Sequence, residues 1–119
     1  MIVGIGNDIT EIARIKEACQ KETFVRRVYT VKEQELAKNS PAFLAGNFAV
    51  KEAVAKALGT GFLKFGPGDV EVLRDDLGKP YVLLYGGAKA RADALGVTGI
   101  FVSITDTKEL AMAVAVAEA

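Results

Sequence analysis

A chain of 119 residues is long enough to close one hydrophobic core, and we expect a single domain spanning residues 1–119. Lysine plus arginine equals aspartate plus glutamate at 15 each, so the overall charge gives no general attraction to nucleic acid or to an anionic membrane. Histidine is absent, which excludes Ser-His-Asp and Cys-His nucleophile systems and histidine-ligated zinc. Acid–base or metal chemistry must therefore use carboxylates, lysines, hydroxyl groups and water, and such oxygen ligands suit magnesium.

The sequence also predicts where the protein resides. Cys19 is the only cysteine, so an intrachain disulfide cannot form and a reducing compartment is expected. No apolar run is long enough to span a bilayer, and the first residues lack the basic lead and apolar core of a secretory signal. These features predict a cytoplasmic location.

The pattern of apolar residues, caps and breakers predicts helices in the first half of the chain and two strand pairs in the second. In chain order, we expect a strand at 1–6, helices at 9–21, 23–29, 30–38 and 41–58, strands at 69–74 and 81–85, a helix at 88–95, and strands at 100–105 and 110–117. Each strand pair reads as an antiparallel hairpin. Helices followed by hairpins are typical of an α+β domain with helices packed on an antiparallel sheet, rather than of a doubly wound parallel sheet.

Several of these helix boundaries have sequence signals. Asp8 is followed three residues later by a glutamate, which is the spacing of a capping box, and Thr30 repeats that spacing. Ser40 followed by proline predicts the start of the central helix, and Gly59 predicts its end.

The central helix carries a pair of charges that conflicts with its surroundings. It is apolar on nearly every side, which predicts burial, yet it contains Glu52 and Lys56 one turn apart. A carboxylate and an ammonium are costly to bury unless they are paired or used. Spacing alone leaves two interpretations open. One is an ordinary i,i+4 surface pair worth roughly 0.2–0.5 kcal/mol, and the other is a functional pair made accessible by the small neighbours Ala45 and Ala49.

Other polar residues have a plain and a functional interpretation. Asp8 could simply cap a helix, or it could hold a magnesium ion at a strand end. The turn at 59–61 could be a helix cap, or a phosphate site aided by Lys56, because a helix C-terminus presents the wrong dipole end to an anion. Ser103 and Thr105 share one face of a strand, which is either merely exposed or able to bind a polar ligand.

The first helices are locally basic within a neutral protein. Their cationic residues are Arg14, Lys16, Lys21, Arg26 and Arg27. A solvated face is the usual explanation, although Arg14 could be presented outward to an acidic partner.

Taken together, these segments resemble the short bacterial form of the 4′-phosphopantetheinyl transferases, the holo-acyl-carrier-protein synthase family. The resemblance covers nearly the whole chain in order, through residues 4–12 (GIGNDITEI), 43–46 (FLAG), 48–53 (FAVKEA), 56–61 (KALGTG), 69–72 (DVEV), 78–80 (GKP) and 102–105 (VSIT). It implies a 4′-phosphopantetheinyl transferase-like fold that assembles as a homotrimer with the site at a subunit boundary.

The same resemblance implies an activity. Members of this family move 4′-phosphopantetheine from coenzyme A to a serine of acyl carrier protein in fatty acid biosynthesis, and they release adenosine 3′,5′-bisphosphate. By that resemblance, Asp8 and Glu52 would hold a Mg²⁺ ion that bridges the coenzyme A pyrophosphate, and Lys56 would touch the same phosphates. A metal-bound water or Glu52 would accept the proton of the carrier serine, and the sequence does not choose between them.

The resemblance also implies binding residues. Coenzyme A contacts would lie at Lys56, Gly59, Thr60, Gly61, Lys79, Ser103 and Thr105. Arg14 and Arg26 match positions where the family meets the acidic carrier protein, so the basic region would steer that partner.

Three residues depart from the family pattern: Asn7, Asn47 and Asp106. Asn47 replaces a common arginine, which would remove a phosphate or intersubunit contact. Asp106 replaces a common histidine. These changes leave room for a second interpretation, a non-catalytic coenzyme A-binding or carrier-docking module.

Overall fold

A computed structural model describes all 119 residues. In chain order its elements are β1 (Ile2–Glu11), α1 (Ile12–Ala18), α2 (Glu22–Val28), α3 (Val31–Ala37), α4 (Pro41–Ala57), β2 (Val70–Arg74), β3 (Pro80–Leu84), α5 (Gly86–Ala94), β4 (Gly99–Asp106) and β5 (Leu110–Glu118). Two short 3₁₀ turns, Gly61–Leu63 and Pro67–Asp69, join α4 to β2. None of the helices combines the length and hydrophobicity needed to cross a lipid bilayer.

The strands form two antiparallel sheets, which agrees with the predicted α+β class. One is a three-stranded sheet in the order β1-β5-β4, and the other is the β2-β3 hairpin. Both predicted hairpins are therefore confirmed. The N-terminal strand joins the C-terminal hairpin, a long-range pairing that local sequence signals do not specify.

The first strand is longer than the sequence indicates. The prediction of a helix from Ile9 with Asp8 in its capping box is wrong, because β1 continues to Glu11 and Asp8 pairs with Ala113 of β5. The backbone N–H of Ile12 still donates to Glu109 O (2.9 Å) beyond the end of the strand. The ladder with β5 thus overrides the local capping signal, and α1 begins at Ile12 without a side-chain cap.

Three other helix ends that carry a sequence signal are confirmed, at Thr30, Ser40 and Gly59. The Thr30 hydroxyl accepts from Glu33 N (3.2 Å), and the Glu33 carboxylate accepts from Thr30 N (3.1 Å), which completes a capping box. Ser40 Oγ accepts from Phe43 N (3.2 Å) at the start of α4. Gly59 has φ +82° directly after the helix, a conformation that suits glycine best.

The main core lies where α4 crosses the three-stranded sheet at very short range. A Cβ atom on Gly4 would lie 1.8 Å from Ala57 O, and one on Gly6 would lie 1.9 Å from Ala53 O. The inward positions of β5 are also small, namely Ala111, Ala113, Ala115 and Ala117, and all are buried. The helix can approach this closely because no large side chain stands between it and the strands.

Candidate active site

The two carboxylates singled out by the sequence face the same space. Asp8 comes from β1, on the sheet face that meets α4, and Glu52 comes from α4 itself. Both line one cavity of about 410 Å³, together with Thr10, Arg14 and Phe48 among others. The extension of β1 through Asp8 is what brings the first carboxylate opposite the second.

Two neighbours orient Asp8. The Thr10 hydroxyl donates to Asp8 Oδ2 (2.7 Å), and Thr10 is itself buried. Lys56 Nζ lies 3.8 Å from Asp8 Oδ1 and donates to Asn7 O (2.9 Å). One carboxylate oxygen is therefore fixed by a hydroxyl and the other faces an ammonium. Sequence reasoning missed Thr10, although its place two residues after Asp8 on a strand puts both side chains on one face.

Lys56 is not a buried charge. Its side chain is 52% exposed, whereas that of Asp8 is 17% exposed. The expectation that the central helix buries both of its charges is wrong for Lys56, whose side chain reaches solvent although the next residues, Ala57 and Leu58, are buried. An accessible ammonium beside a shielded carboxylate is suited to meeting an anion that enters from solvent.

Glu52 is held in conditions that favour its protonated form. Burial raises the pKa of Glu52 above its ordinary value, the negative charge of Asp8 raises it further, and the positive charge of Lys56 offsets part of the rise. Two carboxylates share a partly enclosed space, and at Glu52 the repulsion from Asp8 outweighs the attraction of Lys56. That imbalance is typical of a cation site.

Asp8 and Glu52 fit a magnesium ion if water or substrate supplies its remaining ligands. No group of three or more His, Cys, Asp or Glu side chains in the chain could hold a metal ion. Asp8 and Glu52 therefore supply two carboxylates and leave other positions to water or substrate. Mg²⁺ is commonly bound in this way, by one or two carboxylates plus waters and phosphate oxygens.

The turn after α4 lies next to this site in sequence and has an unusual backbone. Gly59 and Gly61 have φ of +82° and +57°, and the Thr60 hydroxyl donates to Gly61 O (2.9 Å). The predicted glycine turn is thus confirmed as a turn. Its predicted contact with coenzyme A stays a prediction.

Three other predicted site residues lie elsewhere. Ser103 and Thr105 are exposed and pair with Val114 and Met112, on the sheet face that points away from α4. Lys79 is exposed at the β2-β3 turn, where its N–H donates to Asp75 Oδ1 (2.9 Å). None of the three lines the cavity shared by Asp8 and Glu52.

The basic region forms a cavity of about 510 Å³ between α1 and α2. Its lining includes Arg14, Lys21 and Arg27, with Phe24 against the Arg27 guanidinium at 5.7 Å from the ring centre. Arg14 lines this cavity and the carboxylate cavity, so the two adjoin there. Arg26 is exposed, pairs with Glu22 on its own helix and lines neither cavity.

The charge that α4 does bury is Lys51, which the sequence motifs do not single out. Its side chain and that of Glu33 are both 0% exposed, and Nζ lies 2.8 Å from Glu33 Oε1. Lys51 also donates to the carbonyls of Pro67 (3.0 Å) and Val70. Burial lowers the pKa of Lys51, and Glu33 opposes that shift. Three acceptors on two other segments explain why the ammonium tolerates the core.

Asn47 belongs to the same buried network. Its amide nitrogen donates to Glu33 Oε2 (2.9 Å) and Val72 O (3.1 Å), and its oxygen accepts from Arg74 (2.8 Å). A residue that is 0% exposed and fully bonded inside one chain has no phosphate to meet. The departure at Asn47 therefore changes the interior of the subunit, and a guanidinium from β2 reaches the position instead.

Comparison with known proteins identifies the family of this chain. Residues 4–115 match the model of the 4′-phosphopantetheinyl transferase superfamily, and this chain belongs to that family. A holo-[acyl-carrier-protein] synthase of Lachnoclostridium phytofermentans is 52% identical over 118 residues, covering 99% of this chain and 97% of the relative.

Solved structures of the same enzyme type share the fold. The holo-[acyl-carrier-protein] synthase of Neisseria meningitidis matches with a TM-score of 0.90 and 30% identity, covering 100% of both chains. That of Bacillus anthracis, solved in complex with CoA (3′,5′-ADP), matches with a TM-score of 0.83 and 38% identity, covering 100% of this chain and 98% of the other. The resemblance noted from the sequence motifs is confirmed.

The raised pKa of Glu52 predicts a pH-dependent cost to stability in the metal-free protein. The folded state binds the Glu52 proton more tightly than the unfolded state does. The protonated carboxyl is therefore tolerated in full below the ordinary pKa of 4.5, and stability falls as the pH rises through the pKa of Glu52 in the folded state. Glu52→Gln should therefore be more stable than the wild type at pH 7 and nearly equal to it near pH 4. Urea unfolding with a chelator present measures both values.

Glu35→Gln, which removes an exposed carboxylate on α3, serves as the control and should shift neither value. Equal or lower stability of Glu52→Gln at pH 7 would contradict the assignment of Glu52 to a partly buried carboxylate pair whose mutual repulsion lowers stability.

Proposed function

We propose that this chain, acting as a single domain, transfers 4′-phosphopantetheine from coenzyme A to a serine of apo-acyl carrier protein. In that reaction the serine oxygen bonds to the β-phosphorus of coenzyme A, and adenosine 3′,5′-bisphosphate leaves. The observation that carries the proposal is the meeting of Asp8 and Glu52 in one cavity that Arg14 also lines, with Lys56 beside Asp8. The cytoplasmic location expected from the sequence stays a prediction.

Asp8 and Glu52 are the residues that would hold Mg²⁺. When bound, the ion neutralises charge on the pyrophosphate and stabilises the leaving phosphate. The Thr10 hydroxyl keeps Asp8 Oδ2 in place, and Asp8 Oδ1 lies 3.8 Å from Lys56 Nζ. Asp8 is thus oriented by the chain before any cation binds.

Lys56 is the chain's contact for the same phosphates. Its hydrogen bond to Asn7 O directs the ammonium along β1 toward Asp8, and half of the side chain stays open to solvent. A positive charge at that position lowers the energy of the developing charge on the leaving group. The turn at Gly59-Thr60-Gly61 follows directly and completes the predicted coenzyme A contacts on this part of the chain.

The proton of the carrier serine needs an acceptor, and Glu52 is one of two candidates. Glu52 lines the cavity beside Asp8, so its carboxylate is within the site where that proton is released. A water molecule held in the cavity is the other candidate. In either case the proton leaves the hydroxyl as the oxygen attacks phosphorus.

Acyl carrier protein would dock on the basic cavity between α1 and α2. Lys21 and Arg27 belong to this surface as well as Arg14, although the sequence motifs indicated only Arg14 and Arg26. Because Arg14 borders both cavities, a carrier bound there has its serine next to the carboxylates. Charge complementarity of this kind steers an acidic partner without raising the net charge.

We propose further that three copies of the chain assemble through the outer face of the β1-β5-β4 sheet. That face carries exposed apolar side chains, among them Ile5 (69%), Ile9 (62%) and Phe101 (54%). Contiguous apolar surface of this kind commonly marks an interface. Ser103 and Thr105 lie on the same face, so assembly is the route by which they would reach coenzyme A on a neighbouring copy.

Transfer itself is tested by incubating the protein with apo-acyl carrier protein, coenzyme A and Mg²⁺. Intact-mass measurement should show the carrier gaining one phosphopantetheine group. Glu52→Ala should lower kcat/KM by at least about 100-fold, since it removes a metal ligand, while Glu35→Ala on the exposed face of α3 should retain activity. No gain with any of several carriers would favour the carrier-docking module, and normal activity of Glu52→Ala would overturn the metal assignment.

Carrier docking is tested by charge reversal at Arg14. Arg14→Glu should raise the KM for carrier by about tenfold or more and leave the KM for coenzyme A nearly unchanged. Lys16→Glu makes the same charge change on α1 but lies outside the basic cavity, so it should have a much smaller effect. Arg26→Glu should be intermediate, because Arg26 is already paired. Equal losses for both substrates in Arg14→Glu would count against docking.

Assembly is tested by placing a charge on the outer sheet face. Light scattering should report three chains for the wild type and fewer for Met112→Glu, because Met112 is 42% exposed in the central strand of that face. Leu77→Glu makes a comparable change at a hairpin turn where the side chain is 96% exposed, and it should leave the assembly intact. A monomeric wild type would exclude the trimer.

A further inference from the structure

One cation next to the candidate site has no part in the function described so far. Arg91 lies on α5, outside every motif that the sequence indicated, and its Nε donates to Leu58 O (3.0 Å) at the end of α4. The guanidinium also lies against the following residue, since a Cβ on Gly59 would be 3.5 Å from Arg91 Nη2. Arg91 thus holds the point at which α4 passes into the Gly59-Thr60-Gly61 turn.

The rest of the Arg91 guanidinium remains available. Its Nε makes the only side-chain hydrogen bond of the residue, so both terminal nitrogens lack a partner within the chain. The chain has no buried side-chain nitrogen or oxygen without a hydrogen bond, and these two nitrogens are therefore accessible to solvent. A half-buried guanidinium that is anchored at one edge and open at the other is suited to bind an anion.

The position of Arg91 answers an electrostatic problem in the proposed site. The last carbonyls of α4 form the negative end of its dipole, which disfavours phosphate at the turn that follows. Lys56 is the only basic residue in the last turn of α4, and its ammonium is directed toward β1. Arg91 approaches the same helix end from α5 and bonds to one of its carbonyls.

We propose that Arg91 is a further coenzyme A-binding residue. It fixes the start of the Gly59-Thr60-Gly61 turn through Leu58 O, and it supplies the positive charge that lets a phosphate group of coenzyme A lie beside the negative end of α4. This inference rests on the proposed function, because it assumes that the turn contacts coenzyme A. It assigns Arg91 to coenzyme A binding and not to the chemical step.

Steady-state kinetics of Arg91→Gln with coenzyme A varied against saturating carrier test the proposal. The KM for coenzyme A should rise about fivefold or more, while kcat and the KM for carrier stay within about twofold. Arg91→Lys keeps the charge and should recover most of the loss. Raising the ionic strength should narrow the difference between the wild type and Arg91→Gln, since an accessible charge is screened by salt.

Lys89→Gln is the matched control. It removes a cation from the same helix, but Lys89 is exposed and paired with Asp93, so the KM for coenzyme A should not change. An unchanged KM in Arg91→Gln, an equal change in Lys89→Gln, or no recovery in Arg91→Lys would each overturn the proposal.

Direct binding separates this inference from the proposed function. Calorimetric titration of coenzyme A into the wild type, Arg91→Gln and Arg91→Lys should give the same order of affinities without requiring transfer. A wild type that binds coenzyme A but transfers nothing would refute the transferase proposal. The affinities of the Arg91 variants for coenzyme A would still decide the role of Arg91. A wild type that transfers while Arg91→Gln binds equally well would refute only the role of Arg91. Thermal unfolding of each variant establishes that it is folded at the assay temperature.

Discussion

The close contact of α4 with β1 and β5 determines the rest of the structure. Gly4 and Gly6 leave no space for a side chain between the strand and the helix backbone, and the alanines of β5 extend that flat surface. A helix this close to a sheet must be apolar and small on that side, which explains its unusual composition. The same contact sets Glu52 opposite Asp8. The packing of the helix backbone on the strand backbone therefore determines where the candidate site forms.

A buried polar network secures the other side of α4. Lys51, Glu33 and Asn47 join the helix to α3 and to the start of the β2-β3 hairpin, and every donor and acceptor in the group is satisfied. Removing one partner of such an ion pair costs about 3–5 kcal/mol, because it leaves an uncompensated charge in the core. Lys51 and Glu52 are adjacent in α4: Lys51 belongs to the buried network, and Glu52 lines the cavity of the candidate site.

Local signals predicted those features that depend on neighbouring residues. Thr30, Ser40 and Gly59 mark helix ends correctly because a cap is made within a few residues. Asp8 was placed wrongly in a helix start, since its true environment depends on a strand at the other end of the chain. The contacts of Lys51 and Arg91 could not be predicted for the same reason, because their partners come from other elements. The roles of Asp8, Glu52 and Lys56 came from motif resemblance and remain predictions that the geometry supports.

The placement of Asp8 on a paired strand, rather than in a loop or a helix cap, has a consequence for ion selectivity. A ladder of backbone hydrogen bonds fixes β1, and close contact fixes α4 against it, so the backbone segments that carry the two carboxylates are held at a set spacing. Ca²⁺ takes six to eight oxygen ligands at longer and more variable distances, usually from flexible segments. Only two carboxylates, carried by backbone segments at a set spacing, would favour a smaller cation that keeps most of its own water.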